Sequence, residues 1–182
     1  MRYIQGMPVQ GVSLRTPSES DAGAMIELLK CCYGETEYLT RTPEEFQITL
    51  QDEIEYLRRQ ERDERSCMIC AFVEGWLVGN VHIAPVGDAR RVRHRAALGI
   101  CVRKEYWGRG VGSMLMDAAL QTADSAGYRQ VELGVHADNA RAIRLYRRFG
   151  FAEYGRCPGA MRCSDGSFAD EILMARPAGE IR

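Results

Sequence analysis

Ala96-Ala97-Leu98-Gly99-Ile100-Cys101-Val102, then Arg103-Lys104-Glu105-Tyr106-Trp107, then Gly108-Arg109-Gly110-Val111-Gly112 is the stretch whose reading decides the fold. An apolar strand runs into a polar turn, and glycines recur at every second position ahead of a helical pattern. The first turn of a helix carries N–H donors with no intrahelical partner, and the aligned peptide dipoles add roughly half a positive charge there. Glycine removes the Cβ atoms that would hold phosphate oxygens away, and it permits backbone angles closed to other residues. The stretch therefore reads as an anion cradle suited to a diphosphate. Two competing motifs fail: Val111-Gly112-Ser113 lacks the P-loop lysine, and Asp124 falls within the following helix rather than where a dinucleotide fingerprint needs its acid. A tight strand-to-helix turn that binds nothing is the remaining alternative.

Downstream of the cradle, Val111, Met114, Leu115, Ala118, Ala119 and Thr122 form one face of a helix that stops near Gly127. Val131 to Val135 is the next strand. Asp138 or Asn139 then caps a helix through Ala142, Ile143, Leu145, Tyr146 and Phe149, ended by Gly150. Phe151 to Arg156 and Phe168 to Arg176 are the final strands, with Ser164-Asp165-Gly166-Ser167 as a turn.

Upstream, Val12 to Arg15 is a first strand, and Ser18 or Ser20 caps a helix whose apolar face is Ala22, Met25, Ile26 and Leu29. Tyr33 to Leu39 is irregular. Thr42-Pro43-Glu44-Glu45 predicts a helix start, continued by Phe46, Leu50, Ile54 and Leu57 into the solvated charge run Arg58 to Arg65. Ser66 to Glu74 and Leu77 to Ala84 form a hairpin joined at Gly75-Trp76. Pro85 to Arg95 is a loop with Arg90, Arg91, Arg93 and Arg95, solvated or anion-binding. The continuous apolar run of the opening strand predicts a central position covered on both faces. Seven strands and four helices mix along the chain, giving an α/β (α+β) class.

A chain of 182 residues with 46% hydrophobic content suits one domain over residues 1–182. The net charge of -1 provides no general field for nucleic acid, and no nucleic-acid role is expected. Met1 to Leu14 has no apolar core of signal-peptide length and no stretch approaches a bilayer span, so a cytoplasmic protein without a membrane partner is expected. Seven unevenly spaced cysteines suit free thiols in a reducing compartment. Cys67-Met68-Ile69-Cys70 lies in a strand, where residues three apart point to opposite faces, so it reads as buried thiols and no metal is assigned.

Tyr106-Trp107-Gly108-Arg109-Gly110-Val111-Gly112, followed by Asn139-Ala140-Arg141-Ala142-Ile143-Arg144-Leu145-Tyr146-Arg147-Arg148-Phe149-Gly150-Phe151, resembles the GCN5-related N-acetyltransferases. The likeness covers Leu98 to Arg176 closely. It implies a central mixed, mostly antiparallel sheet splayed open between its fourth and fifth strands, with acetyl-CoA in the cleft. By this resemblance the backbone around Arg109, Gly110, Val111, Gly112 and Ser113 holds the CoA diphosphate. Ile100, Cys101 and Val102 pair with the pantetheine arm, Asn139 contacts it, and Tyr146 meets the sulfur. One departure stands out: Trp107 occupies the position where the family pattern opens with Gln or Arg. It leaves the backbone cradle intact, and it covers the cofactor or simply packs.

The implied activity is acetyl transfer to a primary amine of a small molecule, amino acid, protein N-terminus or lysine; a catalytically silent acyl-CoA-binding sensor is the alternative. A backbone N–H near Val102 would polarise the thioester carbonyl, and Tyr146 would protonate the departing thiolate. The base is not legible. Many relatives place a glutamate where this chain has Ala97, and no carboxylate lies from Ala96 to Val102. Glu132, His136, His94 and Asp170, acting through water, are the candidates. Glu35, Glu37 and Tyr38 are the candidate receivers of an acceptor ammonium. The expected partner is thus a small-molecule or peptide amine, and a homodimer is left open.

Overall fold

A computed structural model describes residues 10–177. The reading of Met1 to Leu14 falls largely outside them. The described residues form one seven-stranded sheet in the order β1-β2-β3-β4-β5-β7-β6. Its strands are β1 (Val12–Arg15), β2 (Cys67–Val73), β3 (Trp76–Pro85), β4 (Arg95–Val102), β5 (Gln130–His136), β6 (Ala152–Arg162) and β7 (Phe168–Pro177). The helices are α1 (Ala22–Glu35), α2 (Leu50–Arg62), α3 (Val111–Ser125) and α4 (Ala140–Arg148). Every neighbouring pair is antiparallel except β4 and β5, which run parallel. That parallel pairing covers only Arg95–Ala97 against Gln130–Glu132. Beyond Ala97 the two strands part and the sheet is split.

Two apolar clusters clamp the sheet. On one face Val81, Ile83, Leu98, Val131 and Met174 pack against Leu115, Met116 and Ala119 of α3 and Ile143 and Tyr146 of α4. On the other, Met68, Cys70, Phe72 and Leu77 pack against Ala22, Met25 and Leu28 of α1 and Leu57 of α2. Cys67 belongs to the first face and Cys70 to the second, as their three-residue spacing in a strand requires. The β2–β3 hairpin turns on Glu74 (φ 51°) and Gly75 (φ 84°), two left-handed residues in the turn type that matches strand twist.

Four local expectations are corrected. The second helix starts at Leu50, capped by Thr49, and not at Thr42: Thr42 to Glu45 closes a single turn in which the Thr42 N–H donates to Glu45 Oε2 (2.9 Å). The first helix follows a short 3-10 turn at Glu19–Asp21, and it buries Leu28 and Cys32 rather than Ile26 and Leu29. β6 runs on through Pro158 to Arg162, a course open to proline because β6 is the sheet's edge. Finally, β4 is central but not covered on both faces: Ala96 and Leu98 are buried, whereas Ala97 and Gly99 are exposed. Small residues there leave the split sheet open.

Candidate active site

The site arises from the split. In an antiparallel ladder the backbone groups of successive residues point alternately to either side. Arg103 N–H donates to Val78 O on β3 (2.9 Å), so Ile100 and Val102 turn their backbone groups the other way, toward the gap left by β5. The Val102 carbonyl accepts from Trp107 Nε1 (2.6 Å), which leaves its N–H aimed into the gap. A cleft of about 980 Å³ occupies this gap, a volume that accommodates a sizeable ligand.

One end of the cleft is cationic and rich in donors. Gly110, at φ 92°, caps α3, and the first intrahelical bond runs from Met114 N–H to Gly110 O (3.1 Å). The N–H groups of Val111, Gly112 and Ser113 therefore lack acceptors inside the helix. Arg109 has its guanidinium against the Tyr106 ring (5.4 Å) and a buried Nε with no hydrogen-bond partner. Arg144 and Arg148 of α4 also line the cleft. A polyanion fits this arrangement: free amides, the positive end of α3 and an unpaired buried guanidinium N–H.

Along the middle, α4 supplies Asn139, Arg141 and Tyr146. Asn139 Oδ1 accepts from Ala142 N–H (3.1 Å) as the helix cap, which leaves its NH₂ group as the end available to the cleft. Arg141 stacks on Trp107, with its guanidinium carbon 3.3 Å from the ring centroid. Trp107 thus braces Arg141 and the end of β4. Tyr146 is 7% exposed, its ring packed near Phe151 (6.0 Å), and its hydroxyl has no hydrogen bond among the described residues. Burial pushes the phenol up to about 12, against the opposing pull of the Arg141 charge. It is a neutral proton donor throughout the physiological range.

At the far end Cys101 donates its thiol to Asn80 Oδ1 (3.0 Å). Cys32, hydrogen-bonded to Cys101 and buried, is held well above the ordinary thiol range and is no thiolate nucleophile. Thr36, Tyr38, Leu39, Met161 and Glu171 also line the cleft.

The sequence candidates divide. Ile100, Cys101, Val102, Arg109, Gly110, Gly112, Ser113, Asn139 and Tyr146 line one cleft, as does Tyr38. Val111 is buried and offers only its backbone N–H there. Glu35 and Glu37 are absent from the lining: Glu35 accepts from Lys104 N–H (2.7 Å) and Glu37 from Ser164 N–H (3.1 Å). Of the four candidate bases, none lines the cleft. Glu132 is held by Arg95 in a two-bond pair (both 2.7 Å) beside the β4–β5 pairing. Asp170 accepts from Gly159 N–H (3.0 Å) and pairs with Arg156 (3.3 Å). His94 is exposed in the loop ahead of β4. His136 is buried beneath Tyr38 (ring centroids 5.1 Å apart), and its Nδ1 accepts from Asp138 N–H (3.2 Å). Its Nε2 is buried and has no hydrogen-bond partner among the described residues. Among the described residues no group of His, Cys, Asp and Glu is arranged to hold a metal ion, and no helix is long and apolar enough to cross a membrane.

The family model described as acetyltransferase (GNAT) family matches residues 24–151. The chain belongs to the GNAT family. The open mixed sheet with its parallel β4 and β5 matches the GNAT fold. A GNAT acetyltransferase from Streptococcus pneumoniae has the same fold at a TM-score of 0.87 and 28% identity, over 91% of this chain and 99% of that one. The L-amino acid N-acetyltransferase AaaT of Escherichia coli is 36% identical over 110 residues, which span 59% of this chain and 66% of that protein. The fold is shared with a GNAT phosphinothricin acetyltransferase of Sinorhizobium meliloti solved with acetyl-CoA (TM-score 0.81, 19% identity, 93% and 89% covered).

Missed from the sequence was Glu171. It is the sole carboxylate in the cleft lining among the described residues.

Proposed function

We propose that this GNAT protein transfers the acetyl group of acetyl-CoA to a primary amine on a small molecule, an amino acid, a protein N-terminus or a lysine. The observation that carries the reading is one cleft that joins the free amides of α3 to the phenol of Tyr146 across an open strand edge. Bound acetyl-CoA supplies an activated thioester. The amides of Val111, Gly112 and Ser113 and the guanidinium of Arg109 hold its diphosphate; the β4 edge at Ile100 and Val102 and the Asn139 amide hold its pantetheine arm. The Val102 N–H stabilises negative charge that develops on the acetyl oxygen, an effect worth about 3 kcal/mol for a well-aimed donor. Tyr146 gives its proton to the departing sulfur. The relatives support an amine acceptor, since one of them is named an L-amino acid N-acetyltransferase.

The test is free thiol release from acetyl-CoA in the presence of a panel of amines, amino acids and peptides. Amine-dependent release, with mass-verified acetylated product, is expected. Tight acetyl-CoA binding with no release on any amine would point instead to a silent sensor.

A further inference from the structure

We propose that Glu171 is the catalytic carboxylate of this site, binding the acceptor ammonium and taking its proton. The inference rests on the acetyl-transfer reading above and deepens it, since it names a cationic amine as the acceptor.

Three observations converge on this residue. First, the cleft lining holds four arginines, Arg109, Arg141, Arg144 and Arg148, and Glu171 is its one carboxylate among the described residues. Second, Glu171 is free. Every other acid weighed for this role is committed, Glu132 to Arg95, Asp170 to Gly159 and Arg156, Glu35 and Glu37 to backbone amides. Glu171 makes no hydrogen bond or ion pair among the described residues. Third, its place is prepared by a neighbour. A Cβ built on Gly134 of β5 falls on the Glu171 carboxylate, so the carboxylate lies over the bare backbone of residue 134. Glycine inside a strand marks such close approaches. The acid that β4 lacks at Ala97 is supplied from β7 across Gly134.

The surroundings suit a cation. Glu171 is opposite His136 on β5 and Cys157 on β6, and Tyr154 of β6 is within electrostatic reach. Tyr38, from the segment after α1, and Tyr146 and Arg141 of α4 line the same cleft. His136 Nδ1 accepts from Asp138 N–H and its Nε2 has no hydrogen-bond partner among the described residues, and Arg141 is stacked on Trp107. No neighbouring cation pairs with the carboxylate, so a substrate ammonium takes that place. In the step, nitrogen bonds to the acetyl carbonyl carbon and the carbon–sulfur bond breaks. One ammonium proton passes to Glu171 and on to solvent. A second leaves the nitrogen as the amide forms, and it restores the Tyr146 phenol that has protonated the thiolate.

The test compares wild type with Glu171→Gln on an amine found in the panel, across pH 6 to 10. Expected is a kcat/KM about 10²-fold lower at pH 7, with an unchanged Kd for acetyl-CoA and an unchanged melting temperature. The deficit narrows as pH rises and the free amine replaces the ammonium, a trend that loss of packing alone does not produce. Gly134→Ala, which pushes the carboxylate aside, gives a similar deficit, and the double variant loses little more. Wild-type turnover with an equal rate for Glu171→Gln, or a deficit that does not change with pH, overturns this proposal alone. Acetyl-CoA binding without turnover of any amine by the wild type overturns the acetyl-transfer reading and this proposal with it.

Discussion

Tyr146 holds its ring in the core and its hydroxyl at the cleft, and the two ends have separate consequences. Because the hydroxyl has no hydrogen-bond partner among the described residues, Tyr146→Phe removes no buried pair and leaves packing around Phe151 intact. Stability should be unchanged, while kcat falls by about 10² or more and the Kd for acetyl-CoA holds. The sign of the pH effect comes from burial: a phenol pushed up to about 12 stays protonated at all working pH, so its loss of function sets in only as pH rises toward that value. A rate profile from pH 6 to 10 should therefore show no falling limb that Tyr146→Phe abolishes; such a limb would show that burial does not hold the phenol protonated over this range, and an unchanged kcat in Tyr146→Phe would refute the acid role. Tyr146 and Asn139 were legible only because both sit in the contiguous motif that carries the family resemblance; spacing alone reads Tyr146 as a core tyrosine on the apolar face of α4. Glu171 was not, because its position depends on the pairing of β5 with β7, elements far apart in sequence. The only local signal was a glycine inside a strand, Gly134, whose meaning depends on what crosses it.

At the level of elements, the chain writes the same helix-start signature twice, and only the second opens a helix. Thr42-Pro43-Glu44-Glu45 and Thr49-Leu50-Gln51-Asp52 both place an acid three residues after a threonine. After the first, Phe46 is buried to 2% exposure against Tyr33 (ring centroids 5.2 Å apart), and the backbone leaves the turn without regular structure until Leu50. Tertiary burial of one aromatic overrides a local preference. At the second site Thr49 Oγ1 accepts from Asp52 N–H (3.2 Å), and the helix proceeds. Thr49→Ala should cost about 1 kcal/mol, and Thr42→Ala less than about 0.5 kcal/mol. Urea unfolding of the two variants checks this, and the reverse order would mean that the helix begins at Thr42. The α3 and α4 ends were easier to read. Gly110 and Asn139 cap helices directly, and no aromatic between cap and helix draws the chain elsewhere.

Across the whole molecule, the sheet is two half-sheets, β1 to β4 and β5 to β7, joined along their edge by three register pairs and by the Arg95–Glu132 pair. The mixed sheet and its split between the fourth and fifth strands were implied by the family resemblance that the motif pair carries. The acceptor end was not, since Tyr38, Met161 and Glu171 come from three separate elements that no spacing relates. A cofactor seated in the split touches both halves, β4 and α3 on one side and α4 on the other, and it has no such site in the unfolded chain. Binding to the native state alone at a hundredfold over Kd stabilises by about 2.7 kcal/mol, which for a chain of this size raises the melting temperature by about 5–10 °C. Acetyl-CoA should give that shift and NAD should not. Gly110→Asp separates the cradle from the fold. Open space surrounds residue 110, so the cost is the left-handed backbone at φ 92°, about 1–2 kcal/mol for a non-glycine residue and eased for aspartate. The variant should fold, yet its carboxylate repels the diphosphate where the α3 amides would bind it, so the acetyl-CoA shift should vanish. A folded Gly110→Asp protein that keeps the full shift would place the cofactor elsewhere than the end of α3, and a shift with NAD but not acetyl-CoA would remove the thioester from the site altogether.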